Sequence, residues 1–357
     1  MKRVLVLGST GHIGAHVVRA FHSHGYAVRA AYRNPRYLFV LDGLPVDRVR
    51  CDLDDPAALA SAIDGCGVVV HCGGYYPKFF DRRAPALERA REQITRTFDV
   101  VAAARVAKIV YVSSAATMTP HADRLSTESD QETWPLRAWR PLYPSVKIFM
   151  EHEVLRFAAE GLPVVIVNPS VCLGEWDAHA FSGRLVLATA RWRLPACIDH
   201  HVSAVYTGDV GEGCVAAAER GTVGERYILS TRRISMLEIF RIINDVTGDR
   251  AGHLAHRQSI GGVGEGSAGG RSPTARRAPQ WTIPSSMIAA AGGAVEAAAW
   301  LTGREPWFSR RAFQYAQRHR GVDGGRAQRE LGVPQTSIEE AVRRTLCWFR
   351  ANGYLRR

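Results

Sequence analysis

Lysine is nearly missing from this chain. Of its 46 basic residues only four are lysines, Lys2, Lys78, Lys108 and Lys147, so almost every positive charge is an arginine. The arginines are scattered singly rather than in blocks, and no nucleic-acid motif accompanies them. That argues against a nucleic-acid partner in spite of a formal charge of +12 and a pI near 9.7. A polyanionic small ligand, such as a dinucleotide phosphate or a coenzyme A thioester, is a better use of the charge. The seven cysteines are an odd number without a Cys-x-x-Cys pair, which argues against a disulfide framework or a zinc site and fits a reducing cytoplasm. A long apolar run is also lacking. The longest, Met287 to Leu301, is rich in Ala and Gly, is interrupted by Glu296, and falls short of the roughly 20 residues a spanning helix needs, so no transmembrane segment is expected. The first strand begins within a few residues of Met1, which leaves no room for a signal peptide.

What is present begins with VLVLGSTGHIG, Val4 to Gly14. Val4 to Leu7 read as a buried parallel strand, and Gly8, Gly11 and Gly14 are spaced as a turn that opens a helix. Such a turn binds a pyrophosphate. Glycines let the backbone approach it closely, and the helix start offers N–H groups and the positive end of its dipole. Gly8, Thr10, Gly11, His12, Ile13 and Gly14 are therefore candidate cofactor-binding residues. A second strand, Tyr26 to Tyr32, ends in Arg33-Asn34-Pro35-Arg36, with none of the acids that would hold a ribose 2′-hydroxyl. Arg33 suits a 2′-phosphate, so NADPH is expected over NAD, with Arg36 a second contact.

Strand and helix then alternate. Val46–Val49, Gly67–His71, Ile109–Val112 and Val164–Val167 read as strands and Leu87–Ala104 as a helix, while Asp55 and Pro56 open another helix as N-cap and first residue. The pattern predicts an α/β protein with a Rossmann-type, doubly wound parallel sheet and a smaller, mostly C-terminal α/β part for the substrate. Residues 1–171 are assigned to the dinucleotide-binding domain together with about 203–220, where VYTGDVGEGC resembles a segment that returns to a nucleotide-binding sheet, and 172–202 with about 221–357 to the substrate part. Within the latter, 252–279 loses hydrophobic periodicity and reads as a flexible flap. Ser285 or Ser286 caps the apolar helix that Gly303 closes, and Ser337 with Glu340 forms a capping box for the last helix.

Two stretches carry the chemistry. Ser113 and Ser114 stand at the carboxyl end of the fifth strand, and Tyr143-Pro144-Ser145-Val146-Lys147 follows some thirty residues later. On a helix, Tyr143 and Lys147 share a face. In a chain that otherwise uses arginine, a lysine here points to a task for a compact point charge: lowering the pKa of a neighbouring phenol and bonding a nicotinamide ribose. Tyr143 is the candidate acid/base, Lys147 its partner, and Ser114 the group that holds a carbonyl oxygen, with Ser113 the fallback. Tyr75, Tyr76, Phe79 and Phe80 lie in a loop that either lines an apolar pocket or packs at the surface.

The Gly-x-x-Gly-x-x-Gly turn followed by Ser114 and Tyr143-x-x-x-Lys147 resembles the extended short-chain dehydrogenase/reductase superfamily, the NAD-dependent epimerase/dehydratase group. VRAAYRNP, DLDDPAAL, GLPVVIVNPS and LTGREP resemble its dihydroflavonol-4-reductase-like and 3β-hydroxysteroid-dehydrogenase-like members. The resemblance implies that Asp52 and Leu53 lie beside the adenine, Gly73 beneath the cofactor, and Pro169 near the nicotinamide carboxamide. It also implies a monomer or homodimer acting on a small carbonyl compound. Two departures stand out. Cys172 to Asp177 replaces a commoner Gly-Pro sequence, and around Arg91 to Thr95 an arginine stands where relatives carry an asparagine, so no water relay is expected there. The expected activity is NADPH-dependent reduction of a ketone or aldehyde on a largely apolar substrate. The alternatives are an NAD-dependent nucleotide-sugar epimerase or dehydratase, and a dinucleotide-sensing regulator without catalysis.

Overall fold

A computed structural model of the chain describes residues 2–131, 141–180, 183–191, 196–198, 200–246, 281–283, 285–303, 314–315, 317 and 320–355. The segment 252–279, read above as a flap, lies outside the described residues. The first half alternates strictly: β1 Arg3–Leu7, α1 His12–Ser23, β2 Ala27–Tyr32, β3 Asp47–Arg50, α2 Pro56–Ile63, β4 Val68–His71, α3 Arg83–Ala103, β5 Lys108–Val112, α4 Leu142–Ala159 and β6 Val164–Pro169. Then come β7 Val171–Leu173, α5 Arg184–Arg191, β8 Ala196–Ile198, β9 His201–Tyr206, α6 Thr207–Arg220, β10 Arg226–Leu229 and β11 Arg232–Ser235. The described C-terminal elements are β12 Trp281–Ile283, α7 Ser285–Thr302, α8 Gly325–Leu331 and α9 Ile338–Ala351.

Seven parallel strands form one sheet in the order β10-β6-β5-β4-β1-β2-β3. The two-residue period of β1 explains why it sits at the centre. Val4 and Val6 face a layer that includes Val17, Phe21, Val210 and Cys214 of α1 and α6, whereas Leu5 and Leu7 face Ile94, Phe98, Val146 and Met150 of α3 and α4. Both faces being covered, the strand reads as an unbroken apolar run. A third apolar cluster joins Leu173, Val186, Leu187 and Tyr206 to Ile338, Val342 and Leu346 of α9. Beside it lies a small sheet, β11-β9-β7, and β12 pairs with β8 in another.

Three boundaries differ from the sequence reading. Arg226–Leu229, grouped there with the substrate part, pairs in parallel with Ile166–Pro169 and is the edge strand of the large sheet. The dinucleotide-binding sheet thus extends to Leu229. The helix expected from Leu87 starts at Arg83; Pro85 sits in its first turn, where a missing N–H breaks no helical bond, and the apolar periodicity begins only at Ala86 and Leu87. The expected capping box is half made. Ser337 Oγ accepts from Glu340 N at 3.2 Å, but the Glu340 carboxylate is taken by Arg343 and Arg344.

The strand order reverses at β1, which has β4 on one side and β2 on the other. In open α/β sheets the crevice at the carboxyl end of such a switch point is where ligands bind.

Candidate active site

Gly8 lies at this switch point with φ +79°, and a Cβ added to it would stand 2.7 Å from Gly73 N, at the end of β4. A Cβ on Gly14 would stand 2.1 Å from Gly8 O. The turn is therefore closed as tightly as backbone allows, and Ser9 fastens it to β2 by a 2.8 Å bond from its Oγ to Ala31 O. Gly11 caps α1 without any side-chain bond, so the first-turn N–H groups are not covered by the helix's own cap. Thr10 is buried in the turn, and Gly73 packs against Leu53, whose Cδ1 lies 3.2 Å from the position a Gly73 Cβ would take. This cradle, which any side chain would fill, fits a dinucleotide pyrophosphate.

The side chain of His12 turns away from the cradle. Its Nε2 is 3.0 Å from Thr207 Oγ1 and its Nδ1 4.0 Å from Asp177, and burial lowers its pKa. Only its backbone N–H is left to serve a phosphate. Ile13 packs against the core layer on that side. At the end of β2, Arg33 is exposed and makes no ion pair among the described residues; Arg36 is exposed beside it. Close by, the rings of Tyr37 and His179 lie 4.1 Å apart; burial lowers the pKa of His179, with Asp177 acting against it and the Arg33 charge adding to it. Asp52 forms a local turn, accepting from Asp54 N at 3.2 Å.

The Tyr-x-x-x-Lys pair lies on α4, which packs under the carboxyl ends of β5 and β6. Tyr143 Oη is 3.4 Å from Ser114 Oγ. Ser113 points elsewhere, donating to Glu151 Oε2 at 2.5 Å, so of the two serines it is Ser114 that faces the phenol. Ser114 also caps a short 3₁₀ turn, its Oγ accepting from Ala116 N at 3.2 Å. Burial raises the Tyr143 phenol, opposed by the Ser114 hydrogen bond. The half-buried Lys147 ammonium is itself brought down to about 8 by desolvation, with Glu151 and Cys72 acting the other way.

A group missed from sequence lies directly behind. Glu151 follows Tyr143 and Lys147 at the next i+4 step, on the same helix face, and is 1% exposed. Its carboxylate accepts from Ser113 Oγ, from Thr117 Oγ1 at 3.0 Å and from Asn168 Nδ2 at 2.6 Å, and lies 3.3 Å from Arg226 Nη1 of β10. Asn168 in turn donates to Ser114 O at 3.2 Å, and the Thr117 hydroxyl, 2.8 Å from that oxygen, gives its one proton either to it or to Glu151. The Tyr143–Lys147–Glu151 spacing was the available signal. Pro169, the last residue of β6, directly follows Asn168, which holds this network rather than the ligand side.

Arg91 lies on the exposed side of α3; the buried polar residue of that stretch is Gln93, whose amide donates to Asp54 Oδ1 at 3.1 Å. The helix register decides this, since Gln93, Ile94 and Thr97 make up the inward face.

A glycine cradle at the switch point, joined to a serine, a tyrosine and a lysine at the ends of β5 and α4, defines an NAD(P)-dependent oxidoreductase of the extended short-chain dehydrogenase/reductase type. Residues 4–229 match the sequence model of the NAD dependent epimerase/dehydratase family, and the chain belongs to that family. Among curated proteins it is similar to a "Putative dihydroflavonol 4-reductase" of Synechocystis sp. (30% identical, 98% of this chain and 95% of the relative). It is also similar to sterol demethylase protein B of Methylococcus capsulatus (27% identical, 98% and 99%). Among solved structures the crystal structure of gox2253 superposes over all of both chains with a TM-score of 0.80 at 25% identity.

Proposed function

We propose that the chain is an NADPH-dependent carbonyl reductase for a small to medium, largely apolar ketone or aldehyde. The observation that carries this is the 3.4 Å approach of Tyr143 Oη to Ser114 Oγ at the carboxyl edge of the sheet, beside the glycine cradle. Held at the glycine cradle, a reduced nicotinamide would supply the hydride that the carbonyl carbon takes up. Ser114 Oγ donates to the carbonyl oxygen, and Tyr143 Oη delivers the proton that turns the developing alkoxide into an alcohol. A phenol held protonated by burial suits that direction, because donation is the task. The Lys147 ammonium, charged below about pH 8, offsets the negative charge left on the tyrosine oxygen. Glu151 and Asn168 fix the backbone and hydroxyl of the serine pair, so the acceptor site is set before substrate arrives. A carbonyl reductase accords with the name of the relative called a dihydroflavonol 4-reductase.

NADPH is preferred in this reading because Arg33 is exposed, without an ion pair among the described residues, and at the end of β2. Titration of wild type and Arg33→Ala with NADPH and NADH, followed by cofactor fluorescence, tests it. At least tenfold tighter NADPH binding in wild type, lost in the variant, assigns about 1.4 kcal/mol to the 2′-phosphate contact. Equal binding of NADH by wild type would sink the NADPH assignment.

A further inference from the structure

The loop between β4 and α3 is built as a tight turn. The Asp81 carboxylate accepts from Tyr75 Oη at 2.6 Å and from Lys78 N at 2.9 Å, and Pro77 is buried between them. Folded this way, the loop carries three further aromatic side chains. The Tyr76 ring lies 4.9 Å from that of Tyr143. Phe79 and Phe80, edge to face at 5.1 Å, meet Trp300 near the end of α7, Phe80 at 5.1 Å and Phe79 at 6.5 Å. Trp300 is 68% exposed and the neighbouring Leu301 is 89% exposed. One loop of aromatic residues thus reaches from the candidate catalytic phenol to an open, apolar helix end.

Large apolar side chains grouped in water are unfavourable by roughly 25 cal/mol per Å², and a group of them marks a binding surface. We propose that Tyr76, Phe79, Phe80 and Trp300 seat the apolar tail, alkyl or prenyl, of a carbonyl substrate whose C=O lies between Ser114 and Tyr143. The inner end of the strip is what selects this occupant: it rests on the ring of the proton donor, so a molecule lying along it presents its head group to the chemistry. Asp81 makes the seat rigid, which limits the ordering cost of binding. The proposal deepens the reductase reading and rests on it for the position of the carbonyl.

The test compares two methyl ketones with the same head, 2-butanone and 2-undecanone, in the NADPH-loaded enzyme. Wild type, Phe80→Ala and Trp300→Ala are used, with circular dichroism as the check on folding. The expected long-to-short ratio of kcat/KM in wild type is at least about thirty-fold, the gain from only a few buried methylenes. In either variant the ratio falls at least about tenfold. A ratio near one in wild type, or an unchanged ratio in both variants, overturns the tail seat. If neither ketone is turned over, the reductase reading fails, and the seat is judged separately by fluorescence titration with a pyrene-labelled decanol. Binding weakened at least about fivefold by Trp300→Ala supports the seat, and equal binding overturns it. A protein that binds phosphatidylcholine vesicles but not the monomeric alcohol has a membrane-docking face instead, and that result also overturns the proposal.

Discussion

The Glu151 carboxylate and the Arg226 guanidinium form an ion pair at 3.3 Å beneath the serine strand end, with side chains 1% and 10% exposed. Glu151 comes from the helix that carries Tyr143 and Lys147, and Arg226 from the far edge of the sheet. Removing one member of such a pair leaves a buried charge uncompensated. Glu151→Ala is expected to cost about 3–5 kcal/mol, seen as a lower urea midpoint. Glu151→Gln keeps an acceptor for Ser113 but not the charge that favours the Lys147 ammonium. The alkaline limb of its activity profile is therefore expected at lower pH than in wild type, and an unshifted limb would show that Glu151 acts on packing alone.

The second prediction concerns Lys147 in the wild type. Its pKa in the folded protein is about 8, below the roughly 10.4 of a free lysine. Activity that depends on its charge is expected to fall as pH rises through about 8. Stability moves the opposite way. The cost of burying the ammonium is fully present below pH 8, and between about 8 and 10.4 the unfolded chain binds more protons, so this group's contribution to unfolding free energy rises with pH. Lys147→Met is expected to unfold at higher urea than wild type at pH 7 while losing most of its turnover. Equal or lower stability of that variant would contradict the burial penalty.

Backbone crowding in the glycine turn gives the third. Gly14→Ala would place a methyl group 2.1 Å from Gly8 O, a contact with backbone that no rotamer relieves. The expected result is loss of more than about 2 kcal/mol of stability, together with loss of NAD(P) binding. Gly25→Ala is the comparison: Gly25 has φ +78° but nothing within 4 Å of its added Cβ, so it pays only for the backbone conformation and retains cofactor binding. Calorimetry and a cofactor titration separate the two.

A fourth prediction needs no ligand. Asp55 accepts from Ala57 N at 3.0 Å and Ala58 N at 3.1 Å as the N-cap of α2. Asp55→Ala is expected to destabilise by about 1 kcal/mol and Asp55→Asn by a few tenths, measured by chemical denaturation. A neutral alanine variant would mean that α2 is held by its packing alone.

Local chemistry was legible in the sequence, and pairings across long separations were not. The centre of the sheet, the glycine turn and the Tyr143–Lys147 face follow from periodicities of two and four residues, and the Asp55 cap from residue type. Arg226 could not be placed, because a four-residue strand declares its sheet only by pairing with Val167 and its neighbours, some sixty residues earlier. Glu151 was missed for the same reason: an acid on a helix is ordinary until its partner is known. Arg91 is exposed because Gln93, two residues and about 200° further round α3, takes the inward position, and the residue types alone do not say which of the two faces in. His12 sits within the motif as expected, yet its ring answers to Thr207, a residue of the second half of the chain.

The polarity of β1 has a practical consequence. The strand runs from Arg3 at the amino edge of the sheet to Leu7 at the carboxyl edge, where the turn begins. A partner sequence fused ahead of Arg3 therefore leaves the molecule on the side opposite the glycine cradle and Tyr143. Immobilising the enzyme on a resin through that end turns its working edge toward the flowing solution, so small ligands can be supplied and exchanged while the protein stays attached.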